Sequence, residues 1–173
     1  MEGITVRSES TDDLRAIDVV NLSAFEGEEE AKLVADLRKL PDYSADYSLV
    51  AEFNGRLVGH LMLTPGQLTF NGEKTPVLLL APMSVVPSQS HRGIGTELVE
   101  AAISLGKEKG FAAIIAAGQP DYYARLGFEP CSKQGIQCNL PVPEDRVMMI
   151  ELDANAISEG GMVNYSSPFL SLY

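Results

Sequence analysis

The sequence predicts a mixed α/β sandwich, and three observations lead to this fold class. Two Asn-Gly pairs, at 54–55 and 71–72, separate runs with strand character and are strong hairpin turns. The apolar run VLLLAPMSVV over 77–86 is apolar on both faces, which is typical of a central strand covered by helices. Apolar residues recur at helical spacing over 94–109. Because strands and helices do not alternate regularly, the order of elements disfavours a doubly wound parallel sheet.

The elements before the first Asn-Gly pair begin with a short strand over 3–7. Ser10 or Thr11 can cap a helix over 12–24, because a hydroxyl oxygen accepts hydrogen bonds from the first helical N–H groups. A second helix over 28–40 has leucine and valine at helical spacing, and its initial glutamates suit the positive end of a helix. The strands predicted up to the second Asn-Gly pair are 47–53, 57–64 and 66–70.

The second half of the chain starts with the apolar run, which contains Pro82. Proline cannot donate a hydrogen bond within a sheet, so we predict a bulge or a splayed strand near 81–83. The helix over 94–109 ends at Gly110, and the lysines in its last turn suit the negative end of a helix. The remaining predicted elements are a strand over 111–118, a short helix over 121–126 and strands near 128–131 and 147–152.

Length and composition predict one domain over residues 1–173 without a nucleic-acid or membrane partner. The chain has 173 residues, of which 45% are apolar, and a formal net charge of −11. An acidic surface disfavours nucleic acid, and no window approaches the roughly 18 apolar residues that span a bilayer. The N-terminus lacks a signal-peptide pattern, and Cys131 and Cys138 are too few for a disulfide framework or a zinc site. We therefore expect a cytoplasmic protein with two reduced thiols and no metal.

The segment SHRGIG over 90–95 joins the apolar strand to the following helix and has the features of an anion site. Gly93 and Gly95 lack side chains, so the N–H groups of the first helical turn can approach an anion. The helix N-terminus favours negative charge, and Arg92 adds a full positive charge at the same place. The segment is therefore a candidate phosphate cradle.

Three phosphate ligands compete for this cradle. A nucleotide P-loop is excluded because Gly-Lys-Ser/Thr does not occur in the chain. A dinucleotide site is disfavoured because Leu98 replaces the third glycine and the strand over 111–118 ends without a carboxylate for the ribose. The third ligand is the pyrophosphate of coenzyme A, since a splayed strand before the cradle can pair with the pantetheine amides. The residues favour this ligand.

Two blocks of the sequence resemble the GNAT superfamily of acyl-CoA N-acyltransferases. LAPMSVVPSQSHRGIGTELV, over 80–99, matches the family's [QR]-x-x-G-x-[GA] signature at 90–95. QPDYYARLGFEP, which starts at Gln119, matches its Y-x-x-x-G-F element at 123–128. The whole chain also resembles a bacterial subgroup of N-acetyltransferases, including its C-terminal GMVNYSSPF. The resemblance implies a GNAT-like fold whose central mixed sheet is splayed at the cofactor site.

The resemblance further implies a single acetyl-CoA-dependent N-acetyltransferase domain in which a primary amine attacks the thioester directly in a ternary complex. Tyr123 matches the general acid that protonates the leaving thiolate, and the Val85 N–H is the implied oxyanion donor. Met83 and Val85 are implied to offer backbone groups to the pantetheine arm. The other implied cofactor contacts are His91, Arg92, Gly93, Ile94, Gly95, Thr96, Tyr122 and Arg125.

Two departures from the family pattern leave alternatives open. Ser90 stands where the family usually has Gln or Arg, and the strand over 77–85 lacks the carboxylate that many relatives use as general base. The candidate bases are His60, Glu52 or a water molecule. A non-catalytic acyl-CoA-binding regulatory module is therefore the competing hypothesis.

The acceptor is expected to be a small-molecule or peptide amine. By resemblance, its pocket forms near 21–30, 64–76 and 160–173. These segments contain the acidic residues Glu26, Glu28 and Glu29 and the aromatic residues Phe25, Tyr165 and Phe169. The identity of the amine does not follow from the sequence. Whether the protein forms a homodimer through its C-terminal strands does not follow from the sequence either.

Overall fold

The computed structural model describes residues 3–90, 92–153, 156–157 and 160–173. These residues form two compact units, which we call the N-terminal and the C-terminal unit. The N-terminal unit contains the described residues up to Leu63, those of 81–102, and Leu172. The C-terminal unit contains those of 64–80 and 103–171, and Tyr173. A single domain over 1–173 stays a prediction.

The N-terminal unit starts with three antiparallel strands. The elements that lie wholly or partly in this unit are β1 (Ile4–Ser8), α1 (Leu14–Ala24), α2 (Glu29–Leu37), β2 (Ser48–Phe53), β3 (Arg56–Phe70), β4 (Glu73–Val85) and α3 (Ile94–Glu108). β1 pairs with β2, and β2 pairs with β3. Asn54 and Gly55 both have positive φ, 53° and 76°, so the predicted hairpin turn between β2 and β3 is confirmed.

The first two helices are shorter than the sequence predicts. A 3₁₀ turn over Thr11–Asp13 precedes α1, and the Asp13 carboxylate accepts a hydrogen bond from the Ser10 N–H at 2.7 Å. At the end of α2, the Leu40 N–H donates to the Leu37 carbonyl, three residues back, so the chain tightens and leaves the helix before Pro41. The two helices bury their apolar faces; the fully buried side chains include Ile17, Val20, Leu33 and Leu37.

The C-terminal unit combines parallel and antiparallel strand pairs. Its further elements are β5 (Ala113–Ala117), α4 (Pro120–Arg125), β6 (Glu129–Pro130), β7 (Ile136–Cys138), β8 (Val147–Glu151), β9 (Gly161–Val163) and α5 (Ser167–Leu170). β4 pairs in parallel with β5, and β5 pairs antiparallel with β8. β9 is antiparallel to β3 and parallel to β7. The mixed α/β fold with a mixed sheet is therefore confirmed.

The centre of the sheet is apolar on both faces, as the sequence indicates. Residues 77–80 of β4 are at most 2% exposed, and residues 113–116 of β5 are fully buried. The predicted strands 57–64 and 66–70 form one strand, β3, which continues through Pro65. β7 and β9 are three-residue strands that the sequence does not predict. Among the described residues, the structure contains no helix that is both long and apolar enough to cross a membrane.

Candidate active site

The C-terminal part of β4 leads into the predicted cofactor cradle. The parallel ladder with β5 covers Leu78–Leu80, and β4 then continues as 81–85. Pro82 in this stretch has no N–H to donate. Met83 and Val85 are half-buried, whereas Ser84 between them is 3% exposed. Side chains therefore alternate between two faces along 83–85, as in a regular strand.

The first turn of α3 presents backbone N–H groups at an open helix end. Gly93 has a φ of 77°, a left-handed conformation that favours glycine. Its carbonyl accepts the N–H of Glu97 at 3.0 Å, which is the first hydrogen bond of the helix. The N–H groups of Ile94, Gly95 and Thr96 precede this bond and have no acceptor within the helix. This is the backbone arrangement that binds phosphate at helix N-termini.

Gly59 of β3 allows α3 to approach the sheet closely. A Cβ at this position would lie 2.9 Å from Ile94 Cγ2 and 3.1 Å from Leu98 Cδ1. Both side chains are buried: Ile94 is 1% exposed and Leu98 is 0% exposed. Sequence reasoning missed Gly59, although an isolated glycine inside a strand pattern indicates the close approach of another element.

Two side chains next to the open helix end contact other parts of the same unit. The Arg92 guanidinium lies 5.1 Å from the centroid of the Phe53 ring, at cation–π distance. The Ser90 hydroxyl donates to the Pro87 carbonyl at 2.8 Å and so closes the turn before the helix. His91, which the sequence assigns to the cofactor, lies outside the described residues.

Tyr123 is a buried phenol on the short helix α4 of the C-terminal unit. It is 7% exposed, and its ring packs against the rings of Tyr122 and Phe128 at centroid distances of 5.4 and 5.2 Å. Burial raises the pKa of Tyr123 above the ordinary value of a phenol, because the charged phenolate loses its hydration. The hydroxyl carries its proton at neutral pH, as an ordinary phenol also does, so it has a proton to donate.

The Y-x-x-x-G-F element is a Schellman cap that ends α4. The Phe128 N–H donates to the Tyr123 carbonyl, and the Gly127 N–H donates to the Ala124 carbonyl, both at 3.1 Å. Gly127 has a φ of 96°, the left-handed conformation that this cap requires. The ring contact between Tyr123 and Phe128 is the apolar contact that usually accompanies the cap. Three residues of the sequence motif thus fix the backbone and the ring of Tyr123.

Two other predicted contact residues flank Tyr123. The Tyr122 ring meets the Tyr123 ring edge to face, and the Arg125 guanidinium lies 5.9 Å from the Tyr122 centroid. Tyr122 is half-buried and Arg125 is exposed. The entry to the helix is tight, because Gly118 and Gln119 both have positive φ, 90° and 45°.

The two side chains that the sequence offers as general bases are engaged in other contacts. His60 is fully buried; its Nδ1 lies 3.1 Å from Asn21 Nδ2 and its Nε2 lies 2.9 Å from Ser48 Oγ. Burial, aided by the charge of Arg38, lowers the pKa of His60 to about 3. Glu52 accepts a hydrogen bond from Arg7 Nε at 2.8 Å. These contacts give both residues a structural role.

A groove of about 590 Å³ lies between α1 and α2 in the N-terminal unit. Its wall includes the carboxylates of Asp18, Glu28 and Glu29. The Lys32 ammonium on the same wall is paired with Asp36 at 2.7 Å. The groove is therefore predominantly anionic.

The C-terminal aromatic residues belong to the core of their unit. Tyr165 and Phe169 are 3% and 0% exposed, and their rings pack edge to face at 5.1 Å. The Asn139 side chain holds Tyr165 in place, because its amide donates to the Tyr165 carbonyl and its oxygen accepts the Tyr165 N–H. Burial leaves these two rings no open face for an amine. Within the described residues, no three His, Cys, Asp or Glu side chains are grouped so that they could hold a metal ion.

Comparisons with known proteins agree with the fold. The model of the acetyltransferase (GNAT) domain matches residues 5–131. The uncharacterized N-acetyltransferase YjhQ of Escherichia coli is 33% identical over 171 residues, which cover 95% of this chain and 91% of the relative. The uncharacterized N-acetyltransferase YhbS of the same species is 30% identical over 95% of this chain and 97% of its own length.

Two solved structures are similar over nearly the whole chain. The crystal structure of Escherichia coli YhbS in complex with CoA has a TM-score of 0.87 and 29% identity, and the match covers 96% of this chain and 91% of that one. A GNAT-family acetyltransferase of Brucella melitensis in complex with acetyl-CoA has a TM-score of 0.77 and 24% identity, which shows the shared fold. This match covers 98% of this chain and 99% of that one. The domain match and the two relatives show that the chain belongs to the GNAT family of acetyltransferases, and the two structures agree in fold.

Proposed function

We propose that the protein transfers the acetyl group of acetyl-CoA to a primary amine by direct attack in a ternary complex. The observation that carries this proposal is the buried, protonated phenol of Tyr123, fixed by its Schellman cap within the family's motif. The open N-terminus of α3 supports the choice of cofactor, since its N–H groups fit a pyrophosphate. The relative YhbS of E. coli was crystallised with CoA, which agrees with this choice of cofactor.

The residues that would hold acetyl-CoA come from β4, α3 and α4. The N–H groups of Ile94, Gly95 and Thr96 would bind the pyrophosphate, with Arg92 and the turn at Gly93 beside them. Met83 and Val85 would offer backbone groups to the pantetheine arm. The remaining contacts proposed for the cofactor are His91, Tyr122 and Arg125.

The chain's own groups then account for the charges that develop during transfer. When bound, acetyl-CoA supplies an activated thioester whose carbonyl carbon accepts the amine. The Val85 N–H would donate a hydrogen bond to the carbonyl oxygen as it gains negative charge. The Tyr123 hydroxyl would donate its proton to the sulfur as the carbon–sulfur bond breaks.

A water molecule is the proposed acceptor of the amine's proton. His60 has both ring nitrogens in hydrogen bonds, and Glu52 is bound to Arg7. We propose that the amine binds in the anionic groove between α1 and α2, because the carboxylates there attract a cationic substrate. This location agrees with the pocket implied for residues 21–30.

The alternative is a non-catalytic acyl-CoA-binding module, which the structural roles of His60 and Glu52 favour. A thiol-release assay with acetyl-CoA and a panel of small-molecule and peptide amines separates the two functions. Release of CoA that depends on one of the amines supports the transferase. Tight binding of acetyl-CoA without release on any amine supports the module and overturns the proposed function.

A further inference from the structure

We propose that Ser84 and Asn21 are positioning residues, which hold the backbone of 83–85 in the conformation needed for acetyl transfer. The inference rests on the proposed function, since that function assigns the backbone groups of Met83 and Val85 to acetyl-CoA. Neither residue carries any role in the family resemblance described above. The basis is a chain of hydrogen bonds between side chains in the interior of the N-terminal unit.

This chain of hydrogen bonds links α1 to three strands. The Ser84 hydroxyl on β4 donates to Asn21 Oδ1 on α1 at 3.0 Å, across 63 residues of sequence. Asn21 Nδ2 donates to the Ile17 carbonyl at 3.1 Å and lies 3.1 Å from His60 Nδ1 on β3. His60 Nε2 lies 2.9 Å from Ser48 Oγ on β2. All four side chains are at most 3% exposed.

The Ile17 carbonyl fixes the direction of every hydrogen bond in this series of four side chains. A carbonyl only accepts, so the Asn21 amide nitrogen must face it and the amide oxygen must face Ser84. The second amide hydrogen then points to His60 Nδ1, which therefore accepts. The ring proton is on Nε2 and is donated to Ser48 Oγ. Each group has one role, so the chain holds a single arrangement.

The geometry makes Ser84 the anchor of its strand segment. Its side chain lies on the face opposite to the half-buried side chains of Met83 and Val85. The Val86 N–H donates to the Val58 carbonyl of β3 at 2.8 Å, and because backbone groups alternate in direction along a strand, those of Val85 point away from β3. The ladder between β4 and β5 covers Leu78–Leu80, before this segment begins. β3 holds this part of β4 on one side, since the two strands are neighbours in the sheet and the Val86 N–H donates to the Val58 carbonyl. On the side where the ladder to β5 has ended, the bond from Ser84 to Asn21 adds a tie between 83–85 and α1.

A purely structural role would not require this polar chain. A buried polar group contributes little net stability compared with an apolar side chain of the same shape, but losing its partner costs about 1–3 kcal/mol. Removing the Ser84 hydroxyl leaves Asn21 Oδ1 without its donor inside the core. The segment can then shift, and a misplacement of about 1 Å at reacting atoms can cost on the order of 100-fold in rate.

Two serine variants separate positioning from stability. Ser84→Ala and Ser48→Ala each remove one buried hydroxyl from the same hydrogen-bonded chain, so both should lower the melting temperature to a similar degree. Ser48 lies on β2, two hydrogen bonds further from β4 than Asn21. We expect Ser84→Ala to lower kcat by on the order of 10- to 100-fold, while Ser48→Ala keeps the kcat of the wild type. The loss should be equal with acetyl-CoA and with S-acetylpantetheine, because the defect lies at the acyl end.

Amide hydrogen exchange of the peptide covering 81–86 gives a readout that does not need activity. Exchange there should be faster in Ser84→Ala than in Ser48→Ala. If Ser84→Ala does not fold, Ser84→Cys replaces it, since a thiol of similar size is a weak donor. Equal kcat in the two variants, or equal exchange at 81–86, overturns the inference. A wild type without turnover refutes the proposed function instead, and the exchange rates and the acetyl-CoA affinities of the variants then decide the role of Ser84.

Discussion

The two segments proposed to bind acetyl-CoA are built in opposite ways. The segment at the start of α3 is exposed at Arg92 and Gly93 and offers mainly backbone N–H groups. The segment around α4 is buried at Tyr123 and offers a single side-chain hydroxyl. The first depends on where a helix begins, whereas the second depends on how a helix ends.

This difference leads us to expect that departures from the family pattern have different effects in the two segments. Ser90 replaces the usual Gln or Arg, yet its hydroxyl only closes a turn by donating to the Pro87 carbonyl. The backbone N–H groups of the first helical turn are unaffected by that change. No comparable freedom exists at Tyr123, because the hydroxyl itself is the proposed acid. Side-chain changes should therefore affect affinity in the first segment and rate in the second.

The largest expected effect is that of Tyr123→Phe on the rate. Removing the proposed general acid should lower kcat by on the order of 10²–10⁴-fold, because the leaving thiolate loses its proton donor. Initial rates of thiol release at saturating substrate measure this effect. Tyr122→Phe is the matched control on the neighbouring residue and should keep most of the rate. A Tyr123→Phe variant with the kcat of the wild type would remove the acid role.

Gly95→Leu should weaken the binding of acetyl-CoA. A bulky side chain in the first turn of α3 blocks the approach of the pyrophosphate and removes the equivalent of one hydrogen bond to a charged group, about 10- to 100-fold in affinity. Ser104→Leu places the same side chain at an exposed position of the same helix and should bind normally. Unchanged affinity in Gly95→Leu, measured by calorimetric titration, would mean that the cradle assignment is wrong.

The buried hydrogen-bonded chain beneath β4 should make stability depend on pH. The pKa of His60 is lowered to about 3, whereas in the unfolded chain it is close to the ordinary value of about 6.5. As the pH falls below 6.5, the unfolded state binds a proton that the folded state does not, so the free energy of unfolding decreases. The loss reaches about 2 kcal/mol at pH 5.

Urea unfolding between pH 7 and pH 5 checks this decrease, and His60→Gln is its control. Glutamine cannot be protonated in this range, so the variant should lack that part of the slope, although it is less stable. The same slope in both proteins would show that His60 is not held neutral by the fold.

The smallest expected effect distinguishes the Schellman cap after α4 from the one after α3, in which the Phe111 N–H donates to the Gly106 carbonyl and the Gly110 N–H to the Lys107 carbonyl. Gly127 ends α4 and Gly110 ends α3, with φ values of 96° and 82°. Alanine at either position should cost roughly 1 kcal/mol, because an L side chain disfavours the left-handed conformation. Gly127→Ala should also lower kcat severalfold, since its cap holds Tyr123, whereas Gly110→Ala should not. Equal kcat in the two variants would show that the cap at Gly127 has no influence on the rate of transfer.

Local patterns in the sequence predict much of the fold. The Asn54-Gly55 turn adopts the positive φ values that its hairpin needs. α3 ends at Glu108, and the predicted terminator Gly110 has the positive φ of a helix cap. β7 and β9 could not be predicted, because three-residue strands have too few side chains for a period and form through pairing with distant residues. Pro65 suggests a break, but β3 continues through it. Pairing with other strands outweighs the local preference of proline at this position.

The candidate site also contains features that local sequence patterns predict and features that depend on distant residues. The Gly-x-Gly and Y-x-x-x-G-F patterns are local, so the start of α3 and the cap of α4 could be read from consecutive residues. The role of His60 could not, because its partners Asn21 and Ser48 come from other elements. From the sequence, a histidine on a strand is a candidate base as well as a core residue. Only burial and the second hydrogen bond decide between the two.

The most direct test of the division between affinity and rate is a calorimetric titration of acetyl-CoA into Tyr123→Phe and into the wild type. The two proteins should have dissociation constants within about threefold of each other, although the variant has lost most of its turnover. A loss of affinity as large as the loss of turnover would contradict the account. Tyr123 would then be a binding residue, and the two segments would share one role.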